Sequence, residues 1–294
     1  MERLLIIDGH SYAYRAFHAI RELHSPSGQP TNAIYGFIKM LAKLRATMLP
    51  THWIVVWDGG LSAARLAALP EYKAQRAEMP ALMRPQLDEI GSYLEAARVA
   101  SFCRDGIEAD DVIACIARRA EDNDWKTVIA SADKDFMQLV SSRVGLLNPH
   151  DKTEAVWTDE QVRNKTGVEP SQIVDWLSLM GDNVDNIPGV PGVGPKTAAD
   201  LLKQFGSVEK LFDGLERVKS ERLRAALLKA KDTVRRNHEL VRLHDVACDF
   251  SAEAMAVKEP IAERLRELFS GWGFRTLLAA VEETLRSERQ AALI

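Results

Sequence analysis

The chain has 294 residues, of which 46% are hydrophobic and 27% charged, and its formal net charge is −4. These values fit a globular protein of one large or two smaller domains with length enough for a core, and they exclude low-complexity, collagen-like and membrane-embedded chains. No apolar run approaches the length of a membrane span, and "MERLLIIDGH" does not read as a signal peptide. The three cysteines (Cys103, Cys115 and Cys248) are scattered and odd in number, with neither a zinc spacing nor a disulfide framework, so a reducing cytoplasm is expected.

In chain order, three short Val/Ile-rich runs end in aspartate: "LLIID" at Asp8, "WIVVWD" at Asp58 and "TVIASAD" at Asp133. Helical patterns lie between them, the alternation of a parallel α/β sheet. Weaker strand candidates are "ARVASFC" (97–103) and "RVGLLN" (143–148). Ligands of open parallel sheets gather at the carboxyl ends of the strands, so the three aspartates are expected on one edge. Residues 59–92 are long for a connection, carry Pro70, Pro80 and Pro85 with Arg65, Lys73, Arg76 and Arg84, and should stand off the sheet as a functional excursion. After about residue 158 the chain reads as helical, with a Gly/Pro hairpin at about 186–206 and a closing amphipathic helix with a frayed tail. The expected division is therefore 1–157 and 158–294.

"GIEADDVIA" places Glu108, Asp110 and Asp111 at the start of an apolar helical pattern. Acids in a first helical turn gain about 0.3–1 kcal/mol each from the helix dipole. Two like charges about 4 Å apart repel by roughly 4 kcal/mol at an effective dielectric of 20, which exceeds that gain. Crowding makes sense if a cation sits among them. "SADKD" adds Asp133 and Asp135, and "GDNVDN" adds Asp182 and Asp185. With Asp8 and Asp58 that makes nine carboxylates at strand ends, helix starts and one loop. Oxygen-only ligands favour Mg²⁺ or Mn²⁺, and so many imply two or more ions, the usual device for displacement at phosphorus. Setting the nine aside leaves the rest of the chain basic, which removes the charge objection to a nucleic-acid partner.

"GVPGVGPKTA" (189–198) resembles a phosphate-binding P-loop, but Pro195 breaks the spacing and no strand precedes it. A helix-hairpin-helix remains, in which Gly192, Gly194, Lys196 and Thr197 would grip a phosphate; a purely structural tight turn is the alternative. In "EYKAQR" (71–76), Lys73 and Arg76 share a face if helical and are candidates to stabilise a reacting phosphate, with a solvated basic face as the alternative. Tyr72 could stack on a base. The six tryptophans read as core. His10, two residues after Asp8, counts against a haloacid-dehalogenase-type phosphatase.

Assembled, these motifs resemble the 5′-nuclease family, which includes the N-terminal domain of bacterial DNA polymerase I, phage 5′-exonucleases and flap endonucleases. The resemblance runs from "LLIIDGHSYAYRAFHA" through "EYKAQR", "GIEADDVIA", "SADKDFMQL" and "GDNVDNIPGVPGVGPKTA" to "ERLRELF". It implies a PIN-like α/β core with a helical arch and a helix-hairpin-helix. By position, Asp8, Asp58, Glu108 and Asp110 match a first metal site, and Asp133, Asp135 and Asp185 a second, with Asp110 between the two. Asp111 and Asp182 match outer acids acting through water. Lys73 and Arg76 match arch residues at the scissile phosphate. The implied activity is metal-dependent hydrolysis of DNA near 5′ ends or single-strand/duplex junctions, leaving 5′-phosphate and 3′-hydroxyl, in replication and repair. A potassium ion at the hairpin, RNA primers on DNA, a polymerase acting in trans and a monomeric state are implied as well. One departure is Ala64, where the family commonly has an aromatic before Arg65.

Two competing readings stay open on sequence: a non-catalytic junction-binding protein and a PIN-type ribonuclease. A pure binder would not need nine acids, and a duplex-DNA hairpin argues against RNA as the main substrate.

Overall fold

The computed structural model describes residues 1–248 and 251–291. The elements begin with β1 (Arg3–Asp8), α1 (Gly9–Ala19), α2 (Asn32–Met48), β2 (His52–Val56), α3 (Ala63–Ala68), α4 (Arg84–Ala96) and β3 (Ala100–Phe102). There follow α5 (Ala109–Asp122), β4 (Lys126–Ala130), β5 (Val144–Leu147), β6 (Val156–Trp157), α6 (Asp159–Thr166), α7 (Ile173–Met180), β7 (Gly181–Asp182) and β8 (Ile187–Pro188). The chain closes with α8 (Pro195–Phe205), α9 (Val208–Asp213), α10 (Glu221–Lys229), α11 (Lys231–Val241), α12 (Ala252–Met255), α13 (Ala262–Trp272) and α14 (Arg275–Ala291). The fold is mixed α/β with mostly parallel strand pairing, as expected.

The chain forms two compact units that do not follow chain order. One holds Met1–Trp57, Glu78–Cys103 and the described residues from Ser251 on; the other holds Asp58–Ala77 and Arg104–Cys248. The expected boundary at 157/158 falls inside the second unit, and the excursion at 59–92 is shared between the two.

In the first unit β1 pairs in parallel with β2, Leu4 opposite His52 and Asp8 opposite Val56, and β2 pairs in parallel with β3. Leu4, Leu5, Ile6 and Ile7 are all buried, so β1 carries an unbroken apolar run rather than an alternation, the signature of a strand covered on both faces. The run ends at Asp8, whose carboxylate accepts from the Ser11 amide at 3.0 Å and so caps α1. Trp272, Phe269 and Phe274 pack as tilted rings around the loop between α13 and α14, with Tyr93 of α4 stacked against Phe269. The closing helix expected from sequence is α14, and residues 292–294 of the expected frayed tail lie outside the described residues.

In the second unit β4 pairs in parallel with β5, and β5 pairs antiparallel with β6. The antiparallel strand was not expected, because two residues carry no periodicity to read. On α5 the expected apolar face is buried at Val112, Ile113, Ile116 and Ala117. From α6 to α11 the unit is helical apart from the short β7–β8 hairpin. Fully buried Asn237 of α11 donates to the carbonyls of Ser178 (3.1 Å) and Pro188 (2.7 Å), which locks α11 to the end of α7 and to β8.

Two expectations need correction. Cys115 on α5 and Cys248 are joined as a disulfide across a sequence separation of 133, leaving Cys103 free and exposed. A pairing over that distance has no sequence signal, and the argument for a reducing compartment loses this support. Trp53, Trp176 and Trp272 are buried, but Trp57, Trp125 and Trp157 are only half-buried. Among the described residues no helix is long and apolar enough to cross a membrane.

Candidate active site

Eight of the nine sequence-singled acids lie in the second unit, delivered by four short segments. Asp58 accepts from the Gly60 amide at 3.1 Å, and the turn it closes is tied to the next segment: Gly59 N–H donates to the Ile107 carbonyl (3.1 Å) and Gly106 N–H to the Gly59 carbonyl (2.8 Å). The approach needs glycine, since a Cβ on Gly59 would lie 1.8 Å from the Arg104 carbonyl oxygen. Glu108 is the N-cap residue of α5, with extended backbone, and Asp110 and Asp111 fill the first turn. Asp133 caps the 3₁₀ turn Lys134–Leu139 by accepting from the Asp135 amide at 2.8 Å. Asp182 and Asp185 stand on the β7–β8 hairpin, where Asp182 accepts from the Val184 amide at 2.9 Å. That hairpin is pinched at its base: Gly181 has φ +75, and a Cβ there would lie 2.4 Å from the Ile187 oxygen. Asp8 belongs to the first unit.

Basic side chains stand among these acids. Lys73 Nζ donates to Glu108 and lies 3.7 Å from Asp110 and 3.9 Å from Asp185. Arg76 donates to Asp185 at 2.7 Å, and Lys134 pairs with Asp182 at 2.7 Å. Glu108 Oε1 accepts from the Ser62 amide (2.9 Å) and faces Arg65 at 3.2 Å. Among the described residues no three carboxylates converge closely enough to hold an ion as they stand.

The electrostatics divide the acids into two kinds. Burial pushes the Glu108 carboxyl up, but the Lys73 and Arg65 charges outweigh it and hold Glu108 below the usual carboxylate range. Burial alone would lower the Lys73 ammonium; Asp110, Asp185 and Glu108 raise it above its ordinary value, so it stays charged. Burial raises both Asp133 and Asp135, and for Asp135 the neighbouring Asp133, Asp185 and Asp182 carboxylates raise it much further. For Asp133 the Asp135 amide and the Lys73 charge pull the other way but do not outweigh burial. Asp135 Oδ1 is buried without a hydrogen-bond partner. A buried acid with an orphan oxygen facing like charges is the environment a bound cation would relieve, and the surrounding donors are all oxygens, which suit a hard divalent ion. The residues present therefore fit the metal that the sequence pattern calls for.

Asp111 stands apart. Its Oδ2 accepts from Arg65 Nη1 and its Oδ1 from Arg65 Nη2, both at 2.8 Å, and Oδ1 also accepts from the His244 amide at 2.8 Å. Both oxygens accept from protein donors and keep a spare lone pair, so the role expected of Asp111 is one through water. Tyr72 is a correction. It is 3% exposed, its hydroxyl donates to Glu108 at 3.1 Å, and its ring lies under the Lys73 ammonium, so it has no free face for a base. A second concerns "EYKAQR", which is a run of turns and not a helix; Lys73 and Arg76 meet at Asp185 because the chain folds back, not through helical spacing. Arg65, Lys134, Ser62 and Asn186 touch the site or its frame and had no sequence signal beyond Arg65 and Lys134 being basic.

The hairpin takes the expected form. Gly192 has φ +82, Gly194 is the N-cap of α8, and Pro195 opens the helix. Trp176 Nε1 donates to the Pro195 carbonyl at 2.9 Å and fixes the turn against α7. Lys196 is exposed and Thr197 half-exposed in the first turn, where the helix amides have no intrahelical acceptor.

A family model described as the 5′-3′ exonuclease N-terminal resolvase-like domain matches residues 3–167, and the 5′-3′ exonuclease C-terminal SAM fold matches 168–263. The chain belongs to the 5′-3′ exonuclease family. A 5′-3′ exonuclease of Aquifex aeolicus is 38% identical over 100% of both chains. The DNA polymerase I of Bacillus caldotenax is 37% identical over 98% of this chain but only 33% of its own length, so the chain spans about a third of such relatives. Among solved structures, a phage T5 5′-exonuclease with bound zinc aligns with a TM-score of 0.69 at 23% identity, covering 96% of this chain and 99% of the other. The catalytic core of Rad2 in complex with DNA substrate aligns with a TM-score of 0.66 at 15% identity, covering 95% and 92%. These solved structures share the fold, and the expected 5′-nuclease architecture stands.

Proposed function

We propose that this member of the 5′-3′ exonuclease family is a metal-dependent 5′→3′ exonuclease and flap endonuclease, cutting DNA phosphodiesters near 5′ ends and single-strand/duplex junctions. The observation that carries the reading is the buried, partnerless oxygen of Asp135 among Asp133, Asp182 and Asp185, with Lys73 and Arg76 at the same cluster. Asp58, Glu108, Asp110, Asp133, Asp135 and Asp185 would hold divalent ions, Asp111 and Asp182 would act on them through water, and Asp8 is assigned to the same set by its motif. Mg²⁺ is the expected ion, with Mn²⁺ able to replace it. Bound there, the ions would supply Lewis-acid activation of water and neutralise the phosphate.

The chain's own residues do the rest. Lys73 remains protonated, and with Glu108 and Asp185 engaged as metal ligands its ammonium would be free for a phosphate oxygen. Arg76, already half exposed, offers a second donor to the same anion. The glycine turn before α8, with Lys196 and Thr197, would hold the duplex backbone without reading sequence, and a potassium ion at that turn is part of the proposal. The solved structures of a T5 flap endonuclease with DNA and metal ions, and of Rad2 with DNA, support DNA as the ligand. RNA primers paired to DNA fall within the same substrate shape. A polymerase acting in trans and a monomeric state complete the reading.

The test is cleavage of a 5′-flap duplex labelled at its 5′ end, with Mg²⁺, with Mn²⁺ and with chelator. Metal-dependent cutting at the junction is expected, and the product ladder apportions flap cutting against stepwise removal. Tight binding without cleavage in either metal would replace the nuclease with a junction-binding protein.

A further inference from the structure

Lys73 has φ +56, a left-handed backbone that is costly for any residue but glycine or asparagine. It is the third residue of a turn closed by the Ala74 amide donating to the Glu71 carbonyl at 3.1 Å. Positive φ at the third position of such a turn ordinarily calls for glycine. Something outside the turn must hold a lysine there, and the β7–β8 hairpin does so at two points. Asn186 Nδ2 donates to the Glu71 carbonyl at 2.8 Å, and the Lys73 amide donates to the Asp185 carbonyl at 3.0 Å. Asn186 is itself left-handed, with φ +57, a conformation asparagine tolerates well. One residue therefore turns the hairpin and braces the neighbouring turn. The result is that the Lys73 side chain is buried, with Nζ directed at Glu108, Asp110 and Asp185.

We propose that Asn186 is the positioning residue for Lys73: its side-chain amide holds the Glu71–Ala74 turn in the left-handed form that aims the ammonium at the carboxylates. Its catalytic consequence rests on the nuclease reading above. Strained backbone at a functional group, held from outside, is a recurrent device of active sites.

The test uses the full chain and Asn186→Gly, which keeps the left-handed backbone at 186 and deletes the amide. Without DNA, the rate of Lys73 acetylation by an N-hydroxysuccinimide ester is measured by peptide mass spectrometry. It should rise clearly in Asn186→Gly relative to the unmodified sequence. With a flap duplex and Mg²⁺, single-turnover cleavage should fall by roughly tenfold or more, the scale on which a misplaced group is felt. Duplex affinity should stay unchanged. In a Lys73→Ala background the Asn186→Gly change should cost nothing further. Equal losses in both backgrounds, or unchanged Lys73 reactivity, would overturn the proposal. Should Asn186→Gly fail to fold, Asn186→Ser is put through the same two measurements. If the unmodified protein does not cleave DNA, the nuclease reading fails, while the acetylation arm still decides the role of Asn186.

Discussion

Arg65 and Asp111 form a two-pronged ion pair, each guanidinium Nη 2.8 Å from a different carboxylate oxygen, and both residues are buried. Arg65 also donates to the carbonyls of Leu240 (3.0 Å) and Arg242 (3.1 Å), so the pair ties α3 and the start of α5 to the end of α11. Burying two charges is tolerable only with this completeness. Asp111→Ala leaves the guanidinium with Glu108 as its one remaining carboxylate partner among the described residues and should destabilise by up to about 3–5 kcal/mol in denaturant unfolding. The double change Arg65→Met/Asp111→Leu should recover most of that loss. A double variant as unstable as Asp111→Ala would show that the pair is not the source of the stability.

Asp135 is expected to oppose folding when no divalent ion is bound. Its folded pKa is raised, so the folded state takes up a proton before the unfolded state does, and stability falls as pH rises from the ordinary aspartate range through that raised value. In chelator, Asp135→Asn should therefore raise Tm, and the gain should be larger at neutral pH than in acid. Saturating Mg²⁺ should stabilise the unmodified protein more than the variant, and cleavage by the variant should be largely lost. A variant that responds to Mg²⁺ as strongly as the parent would remove Asp135 from the ion site.

His238 on α11 pairs with Asp175 on α7 at 3.2 Å. The Asp175 hydrogen bond and charge raise its pKa above the ordinary value, against burial, which lowers it. A raised histidine contributes stability that is fully present below the unfolded pKa and is lost as pH rises through the folded one. The Tm difference between the protein and His238→Gln should be larger at about pH 5.5 than at about pH 8.5, on either side of the ordinary histidine range. An equal difference at both would mean that the contact does not depend on charge.

Lys196 lies exposed in the first turn of α8. Lys196→Ala should weaken duplex binding and lower the slope of log affinity against log salt by about one. Measured in chelator, the effect is separated from cleavage. An unchanged slope would place the hairpin off the DNA.

The strands and the acids were legible because each has a local cause. β1, β2 and β4 are short apolar runs buried on both faces, and the aspartates follow them or the first turn of a helix. The pairings between distant segments were not legible. Arg65 meets Asp111 across 46 residues, Cys115 meets Cys248 across 133, and neither position carries a periodic signal. Tyr72 reads as an exposed aromatic beside two cations, yet the turn buries it beneath one of them. The left-handed backbone of Lys73 was hidden as well, because the residue that announces such a turn is glycine and this one is braced from another loop. β6 escaped because two residues are too few for a pattern.

Lys73, Arg76 and Lys134 sit among the acids as built-in counter-ions. Ion loading is then an exchange of tethered cations for mobile ones, not the filling of bare negative charge. On the proposed reading, divalent ions bound there would release these basic side chains toward an anionic substrate. Metal uptake and readiness for an anionic substrate would then be one event.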